Sequence, residues 1–283
     1  MTSQNAPVGD LTGRVVVLTG ASSGIGLAAA EAIARRGAHL VLVGRDPDRL
    51  TAAVDRVRAT AGRTPIAYRA DFARLDDVHV LVDHLRQRYQ RIDVLANNAG
   101  ALLGRKSLTV DGFETTIQTN HLAGFLLTNL LREQLRGGRV VNTASDAHRG
   151  GSVDPAALRG EGRFNMMRTY SASKQANILF TVEATRRWPD ILSTTFHPGV
   201  VRSNFGAGTV AKVFFKAAPF LATPEQGAET LVWLAGAPPP QLRPGGYYVK
   251  RQLKQPAPQA VDPQLALRLW DASLNAVGLG WAG

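Results

Sequence analysis

The chain has 283 residues, 45% hydrophobic and 19% charged, which is enough apolar material for one large α/β domain. It contains no cysteine, so disulfides and thiolate metal sites are excluded, and no apolar run reaches the ~20 residues of a membrane span. The net charge of +11 is carried mostly by scattered arginines, without a dense basic run or interleaved aromatics. That pattern points to solvated surface and attraction for phosphate-bearing ligands, and away from nucleic acid.

Residues 1–12 read as a polar, flexible tail without a basic-then-apolar leader, ahead of a single domain over 13–283. With no thiols and no leader, the expected location is the cytoplasm. Residues 14–19 form a nearly continuous apolar run, as expected of a strand buried on both faces. The run enters Gly20-Ala21-Ser22-Ser23-Gly24-Ile25-Gly26 and then an Ala-rich helix over 27–36. Strand, glycine turn and helix together bring backbone N–H groups and the positive end of a helix dipole to a diphosphate. The spacing, TGxxxGxG, fits the general dinucleotide fingerprint only loosely. The second strand, 39–43, ends in Gly44-Arg45-Asp46. An arginine at this strand end suits the extra phosphate of NADP, whereas an acid suits the ribose of NAD. Asp46 before Pro47 also reads as a helix cap, so Arg45 and NADP(H) are favoured.

A helix over 47–61, a strand over 65–69 and a helix over 74–90 follow. Asp71 lies just past the strand, either facing a ligand or capping the next helix. The strand over 92–96 runs into Asn97-Asn98-Ala99-Gly100, small and amide residues suited to the floor of a cofactor site. Asn120 falls in a helical pattern over 111–134, where asparagine is expected to disturb the hydrogen-bond ladder and free a carbonyl. A fifth strand within 138–144 leads to Ser145. The Gly/Arg-rich stretch 149–163 and the Pro-rich pieces 238–244 and 256–263 read as flexible. Polar oddities collect after strands, which predicts a doubly wound, Rossmann-like parallel sheet of about seven strands, with helices on both faces and the site along one edge.

Tyr170 and Lys174 are spaced to share one face of a helix. A nearby ammonium favours the phenolate and is expected to bring the tyrosine pKa down from ~10, so that the pair can move a proton. His121, His148 and His197 show no metal-ligand spacing and are not expected to be catalytic.

TGASSGIG at 19–26, Asp71, NNAG at 97–100, Asn120, Ser145, YxxxK at 170–174 and Pro198-Gly199 after the sixth strand together resemble the short-chain dehydrogenase/reductase family. Ala147-His148, the long gap from Ser145 to Tyr170, SKQANILFT at 173–181, HPGVVR at 197–202, Gly-Tyr-Tyr near 246–248 and LWDAS at 269–273 resemble its retinol-dehydrogenase-like branch, which includes the WW-domain-containing oxidoreductase. The resemblance implies Tyr170 as proton donor in reduction and base in oxidation. It implies Lys174 as the residue that tunes Tyr170 and holds the nicotinamide ribose, and Ser145 as the group that binds the substrate oxygen. Asn120 would hold a relay water. Gly20, Ser22, Ser23, Gly24, Ile25 and Gly26 would surround the diphosphate, Asp71 the adenine, and Asn98 the adenosine ribose, with Ala99 and Gly100 beside it. Pro198, Gly199, Val200 and Ser203 would meet the nicotinamide end. Ser203 stands where the family often has threonine, and Ser23 is not the basic residue of many NADP-preferring members.

Branch members that act on retinoids often carry an anchor ahead of the first strand. This chain shows none, so retinoids are not the expected substrate. Many members pair through the tyrosine-bearing helix, which makes a homodimer an arrangement to test. Substrate contacts are expected from 101–106, 146–169 and 203–223. Phe205, Phe214, Phe215 and Phe220 in the last segment suit a small hydrophobic carbonyl or alcohol under a mobile lid, or core packing or partner contact. The expected activity is hydride transfer between NADP(H) and that substrate. The alternative is a cofactor-sensing protein without turnover.

Overall fold

Apolar strand runs and glycine-closed helices alternate along the chain and assemble into one eight-stranded sheet. The computed structural model describes residues 9–160, 162–201 and 221–280. The strands are β1 (Val15–Thr19), β2 (His39–Gly44), β3 (Ile66–Arg69), β4 (Val94–Asn97), β5 (Arg139–Thr143), β6 (Leu192–His197), β7 (Tyr247–Val249) and β8 (Gln252–Lys254). Their order is β3-β2-β1-β4-β5-β6-β7-β8. The first seven are parallel, and β8 returns antiparallel to β7. The β7–β8 turn holds Lys250 and Arg251 at φ 51° and 61°. A tight hairpin turn needs positive φ at two positions, and Lys-Arg carries no Asn-Gly signature to announce one. The eighth strand was therefore not legible in the sequence.

The helices are α1 (Gly24–Ala34), α2 (Pro47–Ala61), α3 (Leu75–Arg88), α4 (115–130), α5 (Met166–Arg187), α6 (Pro224–Gly236) and α7 (Pro263–Ala276). β1 shows why the strands read as continuous apolar runs. Val17 enters the core under α3, α4, α5 and α7, while Val16 and Leu18 enter the core under α1, α2 and α6. The order reverses between β1 and β4, which opens a crevice at the carboxyl ends of these two strands.

Two expectations need correction. The helical pattern over 111–134 is not one α-helix. It comprises an α turn at Thr115–Ile117, a π turn at Gln118–Leu122 and an α-helix at Ala123–Leu130. The stretch 149–163 is also not a loose loop where it is described. Val153 and Leu158 are buried, Val153 N donates to Gln175 Oε1 at 2.8 Å, and Arg159 lies 4.7 Å from the Phe113 ring centroid. Apolar anchors outweigh the Gly/Arg composition there.

α5 is covered on two sides. Its inner face lies on the sheet, and α7 packs across it with Trp270 5.7 Å from Phe180 and 5.0 Å from both Phe125 and Trp188.

Candidate active site

The glycine turn sits at the carboxyl end of β1, pressed against the end of β4. Gly20 has φ +65°, and a Cβ there would stand 2.8 Å from Ala99 Cα. A Cβ on Gly26 would stand 2.0 Å from Gly20 O and 2.8 Å from Asn98 Nδ2. Asn98 Nδ2 donates to Thr19 O at 3.0 Å, and Thr19 Oγ1 accepts from both Asn98 N and Ala99 N. These bonds join the two halves of the crevice. Ser23 precedes α1 without capping it through its side chain, which leaves the helix N-terminus to address an anion. Ser22 packs at the end of β2, where a Cβ on Gly44 would come within 3.1 Å of its Oγ. Ile25 packs toward Gly227, 3.1 Å from the place a Cβ would occupy there. The glycine cradle and the open helix end fit the diphosphate of a dinucleotide.

Arg45 is exposed at the end of β2, and Arg69 Nε donates to its carbonyl at 3.2 Å. Asp46 is engaged as a cap, accepting from Arg49 N at 3.0 Å. Asp71 accepts from Ala73 N at 3.0 Å, closing a local turn, and the first turn of α3 is instead held by Asp111, which accepts from Leu75 N. Gly199, after β6, has φ +87°, and Val200 is 56% exposed beside it. Val200 O accepts from Ala222 N at 2.9 Å. Ser203 and the four phenylalanines 205, 214, 215 and 220 lie outside the described residues.

Asn120, Ser145, Tyr170 and Lys174 come together on this edge. The Tyr170 hydroxyl is hydrogen-bonded to Ser145. Ser145 also starts the short 3-10 turn Asp146–Gly150, accepting from Ala147 N at 3.2 Å. Lys174, 3% exposed, places Nζ 5.6 Å from the Tyr170 ring centroid and donates to Thr143 O at 3.1 Å. Gly100 completes the contact, since a Cβ there would lie 3.1 Å from Asn120 Oδ1 and 3.6 Å from Lys174 Nζ. The Asn120 side chain clamps the backbone of Ala101, with Oδ1 accepting from its N at 2.6 Å and Nδ2 donating to its O at 3.0 Å. Its own carbonyl, displaced by the π turn, accepts from Asn177 Nδ2 at 3.0 Å. The disturbed ladder expected at Asn120 is present. Within the protein, the freed carbonyl meets an amide, and Lys174 Nζ reaches the carbonyl of Thr143.

The short chain dehydrogenase family model matches residues 14–212. The chain belongs to the short-chain dehydrogenase/reductase family. It is an oxidoreductase acting on CH–OH and C=O groups, of the retinol-dehydrogenase-like branch. The dehydrogenase is 54% identical over 273 residues to a Streptomyces sp. (strain C5) protein whose name carries a provisional daunorubicin C-13 ketoreductase activity, covering 96% of this chain and 95% of that one. It is 35% identical over 277 residues to human retinol dehydrogenase 11, covering 95% and 87%. Among solved structures, one from Mycobacterium paratuberculosis superposes with a TM-score of 0.81 at 30% identity, covering 100% of this chain and 99% of the other. A short chain dehydrogenase from Escherichia coli CFT073, in complex with NADPH, gives 0.65 at 26% identity, covering 82% and 94%.

Burial sets the proton affinities in this dehydrogenase. The Tyr170 phenol is pushed up to about 12 by loss of water, only partly offset by its bond to Ser145. The lowering expected from Lys174 does not prevail. Lys174 is itself depressed to about 8, because its ammonium is buried. None of the three histidines belongs to a potential metal cluster among the described residues. His148 Nε2 accepts from Ala257 N at 3.0 Å, so Nδ1 carries the proton it donates to Ser145 O at 2.6 Å. His197 Nδ1 accepts from Asp146 N at 3.3 Å. Both hold the turn that carries Ser145.

Sequence reasoning missed Arg69, Thr143 and Asn177. Thr143 acts through its backbone carbonyl, which no residue identity reveals. Arg69 joins Arg45 only through the β2–β3 register, Gly44 against Arg69. Asn177 lies three residues beyond Lys174 on the same helix, a spacing that could have signalled a shared face.

Proposed function

We propose that this dehydrogenase is an NADPH-dependent ketoreductase acting on a ketone of a bulky hydrophobic molecule. The observation that carries the reading is the convergence of Ser145, Tyr170 and Lys174 beside a glycine turn built for a diphosphate. The bound cofactor would supply the hydride, received at the ketone carbon. The two hydroxyls address the ketone oxygen, Ser145 as a hydrogen-bond donor and Tyr170 as the proton source. A phenol held at about 12 is fully protonated at neutral pH, as the acid of a reduction must be. The Lys174 ammonium stabilises the phenolate that remains. The NADP preference rests on Arg45 past the end of β2 and Arg69 at the end of the adjoining β3, on the capping engagement of Asp46, and on NADP(H)-bound neighbours. The substrate class rests on the ketoreductase name of the 54% identical relative. Intact Ser145, Tyr170, Lys174 and Asn120 argue against a sensor without turnover.

The test is oxidation of NADPH and of NADH, followed by nicotinamide absorbance, with daunorubicin, simpler aryl and alkyl ketones, and retinal. Ketone-dependent loss of NADPH absorbance is expected. Turnover of retinal alone would replace the ketone reading. In the same assay Arg45→Ala should raise KM for NADPH about 10–100-fold, since a charge-assisted bond to phosphate contributes about 1.5–3 kcal/mol. The KM for NADH should change little, and equal losses for both cofactors would remove Arg45 from the phosphate.

The pH dependence follows from Lys174. Its ammonium is present below about 8 and lost above, so kcat/KM for NADPH should fall as pH rises through this value. Lys174→Arg, charged throughout, should flatten that limb at a lower plateau. The stability effect has the opposite sign. Between about 8 and the ordinary lysine value the unfolded chain binds the extra proton, so the cost of burying Lys174 lessens as pH rises.

A further inference from the structure

A single side-chain amide meets both the carbonyl of Asn120 and the carbonyl on which Lys174 rests. Asn177 is buried on α5, and its Nδ2 donates to Asn120 O and to Thr143 O, each at 3.0 Å. Thr143 O is the same carbonyl that receives Lys174 Nζ at 3.1 Å. One amide group therefore ties the π turn carrying Asn120, the end of β5 just before Ser145, and the helix bearing Tyr170 and Lys174. Both acceptors are backbone oxygens, so the amide works in only one orientation. Turned by half a revolution, Oδ1 would face two carbonyl oxygens.

His121 fixes that orientation. Its Nδ1 lies 3.3 Å from Asn177 Oδ1. An amide oxygen only accepts, so Nδ1 carries the proton. Nε2 is then the bare nitrogen, and it accepts from Ser273 Oγ at 3.0 Å. The ring is 1% exposed, tilted against Phe125 and edge-on to Phe180, and burial lowers its pKa to about 4, which keeps it neutral with one donor and one acceptor. The string Ser273–His121–Asn177 thus runs from α7 to the carbonyl on which Lys174 rests.

We infer that Asn177 is a positioning residue for the reduction, its amide oriented by His121 and Ser273 so that Lys174 Nζ and the Asn120 turn keep their places relative to Tyr170. The inference rests on the reading of Tyr170 and Lys174 as the proton-handling pair. It differs from ordinary core packing in what it predicts. Packing loss lowers the melting temperature and the fraction of active protein. Misplacement of the lysine lowers the rate of each active site.

The experiment uses the full chain with Asn177→Ala, His121→Phe and Ser273→Ala. Folding is followed by circular dichroism, NADPH binding by fluorescence titration, and ketone reduction by steady-state kinetics normalised to NADPH-binding sites. For Asn177→Ala and His121→Phe, kcat should fall about 10–100-fold, the scale of an ångström-sized misplacement. KM for the ketone and Kd for NADPH should stay within about 5-fold, because the binding surfaces remain. Ser273→Ala, at the far end of the string, should lower kcat by about 3-fold with KM unchanged. A folded Asn177→Ala with wild-type kcat per site overturns the inference. If that variant does not fold, unchanged kcat in both His121→Phe and Ser273→Ala overturns it. Tyr170→Phe separates the two failures. Normal turnover in that variant would sink the underlying reading, whereas its inactivity beside a fully active Asn177→Ala would sink the positioning role alone.

Discussion

Tyr170→Phe should keep the fold and NADPH binding and lose ketone reduction by about 1,000-fold or more. The side chain ends in a phenol whose hydrogen bond goes to Ser145, and the ring stays packed beside Lys174 when the oxygen is removed. Among the described residues, the loss of this hydroxyl leaves the neighbouring titratable groups engaged elsewhere. Lys174 donates to Thr143 O, and the neighbouring His148 and His197 are committed to Ala257, Ser145 and Asp146. General acid catalysis is worth about 100- to 10,000-fold, which sets the scale. Single-turnover loss of NADPH absorbance on mixing with ketone reads the effect directly. A rate within tenfold of wild type would mean that another group delivers the proton.

Gly26→Ala should abolish detectable NADPH binding while the chain still folds with a lowered melting temperature. The added methyl has nowhere to go, because its carbon would stand 2.0 Å from Gly20 O, far inside contact distance. The obstacle is backbone, so α1 must back away from the glycine turn. Overpacking of this kind costs about 1–3 kcal/mol of stability. It also moves the helix N-terminus away from the place where a diphosphate would be held. Gly13→Ala provides the contrast, since nothing lies within 4 Å of a Cβ there and its cost comes only from φ +77°. Fluorescence titration with NADPH and thermal melts on both variants check this. Normal NADPH affinity in Gly26→Ala would show that the turn does not hold the cofactor.

Features that depend on neighbours in sequence were largely legible. The strand–turn–helix at 15–34 and the cap at Asp46 followed from local chemistry, and so did the helix placing Tyr170 and Lys174 one turn apart. The sheet followed from apolar runs punctuated by helices. What was hidden depends on contacts far apart in the chain. The π turn at Gln118–Leu122 is stabilised by Asn177, 57 residues from its acceptor at Asn120. The packing of Val153 and Arg159 rests on Gln175 and Phe113, which composition does not report. The expected lowering of the tyrosine pKa failed for a related reason: the residue pair was visible, but the burial that outweighs it was not.

The placement of α7 bears on when the enzyme matures. Ser273 meets His121 across 152 residues of sequence, and Trp270 closes the aromatic cluster over α4 and α5. During translation, the glycine turn, Ser145, Tyr170 and Lys174 all leave the ribosome before this helix does. A nascent chain can thus present Ser145, Tyr170 and Lys174 and still lack the helix that meets His121. Competence should arrive late and abruptly, with the docking of α7, rather than growing in step with chain length.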